Sequence, residues 1–258
     1  AELAVVGDFD AAALGPQVEK LFAGWMFGSA IVLGLVCLPM LLGSRQAAMR
    51  LIQVWARGVF WGLRVFVGAH VEVRGREHLP GGGEGGGGYL IAAKHQSMLD
   101  TLVATTLTPW PCIVLKRELM FIPIFGWYAW KSGMIAIDRR GGPGDVRQLL
   151  AAARRALADG RQVVIYPEGT RRAPGAPPAY KGGIGLLYKE LGVACVPCAT
   201  DGGRVWPAHG LLKHPGVAVF EVLPALAPGL ARKGFMARLE AEVEGAARCL
   251  EADSETGS

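Results

Sequence analysis

Residues 21–43 read LFAGWMFGSAIVLGLVCLPMLLG, 23 residues without one charged side chain. As a helix, a stretch of this length reaches about 35 Å, enough to cross a hydrocarbon layer about 30 Å thick. A cleaved leader would carry an apolar run of only ~7–15 residues behind a basic start. Here the run is longer, and Glu2, Asp8, Asp10 and Glu19 precede it. A retained membrane segment is the better reading. Pro39 near its end fits either a full crossing or one half of a helical hairpin.

Residues 46–69 are of a different kind. Arg50, Arg57 and Arg64 recur every seven residues, close to one stripe of a helix, among apolar neighbours that include Trp55 and Trp61. A basic stripe on an apolar, Trp-bearing helix suits the membrane interface, its cations meeting lipid phosphates. The alternative is a helix packed on the soluble domain with its arginines solvated. Arg45, Arg50, Arg57 and Arg64 follow the apolar segment and acids precede it, so the positive-inside rule puts the rest of the chain in the cytoplasm.

Beyond residue 70 short β-rich runs (70–74, 89–94, 112–116, 134–138, 162–166, 193–199 and 217–222) alternate with helical ones (98–106, 124–132, 145–159, 183–191 and 235–250). The alternation predicts an α/β fold, a mixed but largely parallel sheet flanked by helices. Nearly all-apolar strands fit a sheet covered on both faces. The expected organisation is an extension over 1–20, membrane-associated helices over 21–69, an α/β domain over 70–250 and a disordered tail over 251–258. The glycine run at 80–88 reads as a flexible loop. The net charge of +5 in 258 residues suits an anionic surface or substrate. No dense Lys/Arg block with interleaved aromatics argues for a nucleic acid partner. Five cysteines, an odd number in a chain this long, argue against a disulfide scaffold.

Several familiar motifs fail on context. Gly83 to Gly88 fit G-x-G-x-x-G but precede a strand instead of opening a helix. No Gly-Lys pair exists for a phosphate loop, and no serine sits in G-x-S-x-G. Cys195 and Cys198 look like a redox or zinc pair, yet fall inside a predicted strand without further ligands nearby. They read as small buried hydrophobes, and no metal site is expected.

Three strand ends are more informative. His95 closes the apolar run YLIAAK where a helix should begin, and Asp100 follows five residues on. With Asp100 in the second helical turn, its carboxylate reaches Nδ1 and leaves Nε2 as a general base. That junction should also offer unpaired backbone N–H groups. A capping histidine beside an ordinary helix acid is the alternative. Glu168, Gly169, Thr170, Arg171 and Arg172 follow another strand, where an arginine in a Gly-containing turn can take a phosphate bidentately. Glu168 there either orients the arginine or binds a hydroxyl. Lys116, Arg117 and Glu118 follow a third. Ligands in open α/β sheets gather at such carboxyl ends.

Taken in order, these stretches resemble the glycerolipid acyltransferases, and within them the bacterial membrane-bound 1-acylglycerol-3-phosphate acyltransferases. Lys94 to Asp100 (KHQSMLD) match the family's His-x-x-x-x-Asp block. Lys116 to Leu119, with Pro123 and Gly126, match the second, Glu168 to Arg171 (EGTR) the third, and Val196-Pro197 the fourth. The resemblance covers about residues 71–224. Lys94 stands where the family often has Asn, and Asp201-Gly202-Gly203 where a more Asn/Ser-like turn is usual.

The resemblance implies that His95, oriented by Asp100, deprotonates the 2-hydroxyl of a lysophosphatidic acid. The alkoxide then attacks the thioester of acyl-CoA or acyl carrier protein, a co-substrate and not a resident cofactor. It implies phosphate binding by Lys116 and Arg171, with Arg117 assisting and Glu168, Gly169 and Thr170 shaping that site. The implied setting is the cytoplasmic (inner) membrane, with the catalytic domain on its cytoplasmic side. Another lysolipid acceptor, a thioester hydrolase or a catalytically silent lipid-binding protein are the competing readings.

Overall fold

The computed structural model describes residues 11–80, 87–138, 143–208 and 213–256. Seven strands form one sheet: β1 (Ala69–Arg74), β2 (Leu90–Ala93), β3 (Pro111–Lys116), β4 (Ile135–Ile137), β5 (Gln162–Ile165), β6 (Cys195–Thr200) and β7 (Gly216–Val222). Their order is β1-β7-β6-β2-β5-β3-β4. Every neighbouring pair is parallel except β6 and β7. The mixed, largely parallel sheet expected from the alternation is the one present.

The central strands β2, β5 and β6 are buried along their whole length. With a side-chain period of two, alternate residues feed opposite faces. Leu90, Ala92, Val163 and Ile165 pack with α5 (Pro143–Ala158), α6 (Gly183–Leu191) and α7 (Arg232–Thr256). Ile91, Ala93, Val164 and Val196 pack toward Ala104 and Leu107 of α3 (Met98–Leu107). Cys195 lies in the first cluster and Cys198 in the second, on opposite faces of β6. They are structural thiols, and burial pushes that of Cys198 up to about 12.

The N-terminal segment is a helical hairpin. α1 (Ala11–Val36) ends before a short 3₁₀ turn (Leu38–Leu42) that has Pro39 at its start, and α2 (Arg45–Gly62) returns along α1. The apolar stretch at 21–43 is therefore not one helix, because a proline removes a backbone donor and fixes φ at the reversal. Ser44 caps α2 by accepting from the Ala47 N–H at 3.1 Å. Tryptophans join the two helices: Trp25 donates to the Gly58 carbonyl at 3.2 Å and Trp55 to Ser29 Oγ at 3.3 Å. Phe22 and Met26 of α1, Ala56 and Val59 of α2, and Leu99 and Leu102 of α3 share a third core, which fixes the hairpin to the domain.

Within α1, residues 15–36 form the one helix among the described residues long and apolar enough to cross a membrane. Leu21, Phe27, Ile31, Val32, Leu35 and Val36 are exposed on it, and Leu42 at the turn is 91% exposed. Helix α2 ends at Gly62, short of the expected 69, passing through a wider turn at Leu63–Val67 to Gly68 at φ +72°.

A second departure lies at the C-terminus. Residues 251–256, expected to be disordered, continue α7 to Thr256. Glu251 accepts from Gln96 Nε2 at 3.0 Å, and its carbonyl accepts from Arg204 at 2.7 Å. These partners are unreadable from a short acidic tail. The expected extension at 1–20 is partly helical, since α1 begins at Ala11. Residues 1–10, 257–258 and most of the glycine run (81–86) lie outside the described residues.

Candidate active site

Strand β2 ends at Ala93, and His95 follows it at the carboxyl edge of the sheet. Ser97 adopts extended backbone and caps α3, its hydroxyl accepting from the Leu99 N–H at 3.0 Å. Asp100 is thus in the first turn of α3, not the second. It closes a reciprocal capping box with Ser97. Asp100 Oδ2 accepts from the N–H groups of Gln96 and Ser97 at 2.6 and 2.7 Å, and Oδ1 from the Ser97 hydroxyl at 3.1 Å. The same Oδ2 lies 3.0 Å from His95 Nδ1. The expectation of unpaired N–H groups at this junction is not met, because the carboxylate and the serine take those of Gln96, Ser97 and Leu99.

The imidazole is held on two sides. Asp100 fixes Nδ1, and the Tyr166 ring stacks on His95 at 4.1 Å between centroids and 22° between planes. Burial pushes the Tyr166 phenol far above its usual range, so it stays protonated beside the pair. Nε2 has no partner among the described residues. A buried imidazole with Nδ1 bonded to a carboxylate and Nε2 open is built to accept a proton.

Strands β5 and β3 lie next to β2 in that order, so their ends share this edge. After β5 the chain turns at Gly169, φ +67°, a left-handed conformation that suits glycine. A side chain there would also press on Lys181, whose Nζ would stand 3.1 Å from its Cβ. Glu168 is buried. One of its oxygens accepts from the Ala179 N–H at 3.3 Å and lies 3.6 Å from Arg172 Nε; the other has no partner among the described residues. Burial raises the pKa of this carboxyl group. Glu168 thus faces Arg172, not Arg171. Arg172 also donates its backbone N–H to the His95 carbonyl at 2.8 Å, stitching the two loops together.

Thr170 and Arg171 are exposed, with Arg171 close enough to bear electrostatically on Tyr166. Lys116 ends β3 with its ammonium 3.2 Å from Glu118, and Arg117 opens the exposed 3₁₀ segment Arg117–Phe121. The cations predicted from sequence are all on this edge and face solvent.

A family model described as Acyltransferase matches residues 70–201, just over half of the chain. The chain belongs to the acyltransferase family. It is 34% identical over 175 residues to a 1-acyl-sn-glycerol-3-phosphate acyltransferase of Pseudomonas aeruginosa, covering 68% of this chain and 66% of that one. It is 28% identical over 177 residues to the human 1-acyl-sn-glycerol-3-phosphate acyltransferase alpha, covering 68% of this chain and 59% of that one. The matched region therefore spans 66% and 59% of these relatives' own length, less than two thirds of either. The fold is similar to the crystal structure of the 1-acyl-sn-glycerophosphate (LPA) acyltransferase PlsC from Thermotoga maritima. Its TM-score is 0.78 at 18% identity, covering 93% of this chain and 98% of that one.

The candidate site holds groups that sequence reasoning missed. Lys94 is buried and sets Nζ 2.7 and 2.8 Å from the two oxygens of Glu244 on α7. Tyr180 donates to the same carboxylate at 3.1 Å. A lysine here thus brings its own buried counter-ion from 150 residues away. Asp201-Gly202-Gly203 also finds its reason. Asp201 Oδ1 accepts from the Val219 N–H at 2.7 Å, and the Gly203 N–H donates to Gln96 Oε1 at 3.1 Å. A Cβ at Gly203 would stand 2.8 Å from that of Gln96, and one at Gly202 3.2 Å from Asp100 Oδ1. Glycine lets this loop close on Gln96 and Asp100 from the β6 side.

Proposed function

We propose that this acyltransferase moves an acyl group from a thioester, acyl-CoA or acyl carrier protein, to the sn-2 hydroxyl of 1-acylglycerol 3-phosphate, giving phosphatidic acid. The observation that carries the reading is the buried His95, tied through Nδ1 to Asp100, stacked on Tyr166 and open at Nε2. The names of the relatives supply the acceptor.

His95 Nε2 takes the hydroxyl proton as the oxygen attacks the thioester carbonyl. The C–O bond forms, and the tetrahedral intermediate collapses with cleavage of the C–S bond. The departing thiolate recovers the proton from the imidazolium, so acid and base are one residue. Asp100 keeps Nδ1 protonated and offsets the positive charge that develops on the ring. Arg171 and Lys116 hold the substrate phosphate, with Arg117 assisting, and Glu168, Gly169 and Thr170 shape that loop. The α1–α2 hairpin keeps the enzyme at the inner membrane where the lysolipid and its product reside, and the α/β domain works on the cytoplasmic side. No cofactor takes part.

The test is acyl transfer by the detergent-solubilised protein, with labelled lysophosphatidic acid and acyl-CoA or acyl carrier protein. Phosphatidic acid should form, and His95→Ala should lower turnover by at least the ~100-fold typical of a lost general base. Free fatty acid in place of phosphatidic acid would favour a thioester hydrolase. Full activity in His95→Ala would remove His95 from the mechanism.

A further inference from the structure

A cavity of about 690 Å³ lies at the opposite end of the sheet from His95, beneath α2. It opens where β3 and β5 begin and α3 ends, and Trp110, Gln162 and Thr108 are on its wall. Three arginines line it: Arg50 and Arg57 of α2, and Arg76 in the turn after β1. One carboxylate, Asp159, faces them. The balance on the wall is positive.

The carbonyl end of α3 would oppose an anion here, but its oxygens are already engaged. The buried Gln53 amide donates to the carbonyls of Thr105, Thr108 and Pro109 at 3.0, 3.3 and 3.2 Å, and Arg76 donates to that of Leu107 at 3.1 Å. Arg50 and Arg57 have no ion pair or hydrogen-bonded partner among the described residues. Thr108 and Trp110 also line the cavity, with the Thr108 hydroxyl and the Trp110 indole N–H buried behind its surface. Two uncommitted guanidinium groups beside a third on one concave wall suit a phosphate group.

The position of the stripe says what carries that phosphate. At about 100° per residue, Arg50 and Arg57 lie within about 20° of each other on α2. Trp61 and Val54 fall within about 60° of Arg57, on the side away from the buried Gln53. Both apolar side chains are exposed, and the Trp61 ring meets that of Trp25 on α1 at 5.3 Å between centroids. The arginines form the border between the cavity and an outward apolar edge. A ligand with an anionic head and an apolar tail meets both surfaces at once.

We infer that this cavity is a second anion site, separate from the catalytic edge, that takes the phosphate of a membrane phospholipid. Inorganic phosphate shares the head chemistry but gains nothing from Val54 and Trp61.

The experiment titrates the detergent-solubilised full chain with short-chain phosphatidylglycerol, neither substrate nor product of the proposed reaction, and separately with inorganic phosphate, reading the heat of binding. Arg50→Gln/Arg57→Gln should weaken phosphatidylglycerol binding about thirtyfold and Arg76→Gln about fivefold, at roughly a factor of five per arginine near a lipid surface. Arg64→Gln, on the same stripe but off the cavity wall, should stay near wild type. Unchanged melting points establish that each variant is folded, and acyl transfer in detergent should be unaffected, so this site and the proposed activity fail separately. Wild-type binding by the double variant would overturn the inference. So would losses in Arg64→Gln matching those in the cavity arginines, which would mean a diffuse charged stripe. Inorganic phosphate binding as tightly as phosphatidylglycerol would overturn the lipid part.

Discussion

Removing the ammonium of Lys94 tests whether the C-terminal helix holds the catalytic strand in place. Lys94 Nζ makes two charged hydrogen bonds, at 2.7 and 2.8 Å, to Glu244, and the lysine is 3% exposed. Lys94→Ala leaves the Glu244 carboxylate buried without a counter-charge, a change that typically destabilises by about 3–5 kcal/mol. Tyr180 still donates to Glu244, and burial holds its phenol protonated, so the lower half of that range is expected. At roughly 2–4 °C per kcal/mol in a chain of this size, the melting point should fall by about 6–16 °C. Lys94→Met/Glu244→Leu removes both charges and replaces the pair with apolar bulk, which is often neutral or better. That double variant should recover most of the loss in a thermal melt of the solubilised protein. Turnover should recover with it, since Lys94 touches no reacting atom. A single variant melting within about 2 °C of wild type, or a double as unstable as the single, would refute the reasoning.

Glu168 has a raised pKa because it is buried, so its ionised form opposes folding. Its protonated form favours folding below the unfolded value, and that advantage is lost as pH rises through the folded one. Glu168→Gln should therefore melt higher than wild type at neutral pH. The difference should shrink as pH falls through the raised folded value toward the ordinary 4.5 and stay level below it, while acyl transfer is impaired throughout. Arg171→Ala should raise KM for lysophosphatidic acid about tenfold or more, the scale of a lost charged hydrogen bond, and leave the acyl-donor KM unmoved; a donor-only effect would reassign the phosphate. Cys195→Ala/Cys198→Ala should remain active, and an alkylating reagent should leave both thiols unmodified in the folded protein; a dead double variant would revive a redox role.

The sequence carries the fold and the His95–Asp100 contact because both are written locally. Each central strand is an apolar run bounded by polar residues. His95 and Asp100 are close enough along the chain for their contact to follow from a helix start. The capping signal Ser97-x-x-Asp100 is also local and places Asp100 in the first turn, although the spacing alone suggested the second. What was hidden depends on distant partners. Nothing near Lys94 announces Glu244, and nothing in the last residues announces that Glu251 meets Gln96. The hairpin is a similar case. Pro39 permits a reversal, but the reversal is fixed by the indoles of Trp25 and Trp55 bonding across the two helices.

The segment between β3 and β4 joins the two halves of the proposed function. It begins with the cations Lys116 and Arg117 and continues through exposed Phe121 and Ile122 into α4 (Phe125–Lys131), where Trp127 is exposed and Trp130 is 73% exposed. The same helix is anchored to α1. Tyr128 donates its hydroxyl to the Gly34 carbonyl at 3.0 Å, and any side chain at Gly34 would collide with Ile124. Ile124 sits at φ +65°, a conformation that is unfavourable for a β-branched residue and persists only where its surroundings hold it. That closeness to α1 supplies the constraint. The cations Lys116 and Arg117, proposed to meet the phosphate, and the apolar face of the hairpin are thus parts of one braced unit. Under the proposed function, a lysolipid held at the interface by its chain would bring its phosphate to Lys116 at a fixed height above the bilayer. Enlarging Gly34 to Ala should disturb that brace, and with it lysophosphatidic acid binding, while leaving the distant His95–Asp100 pair intact.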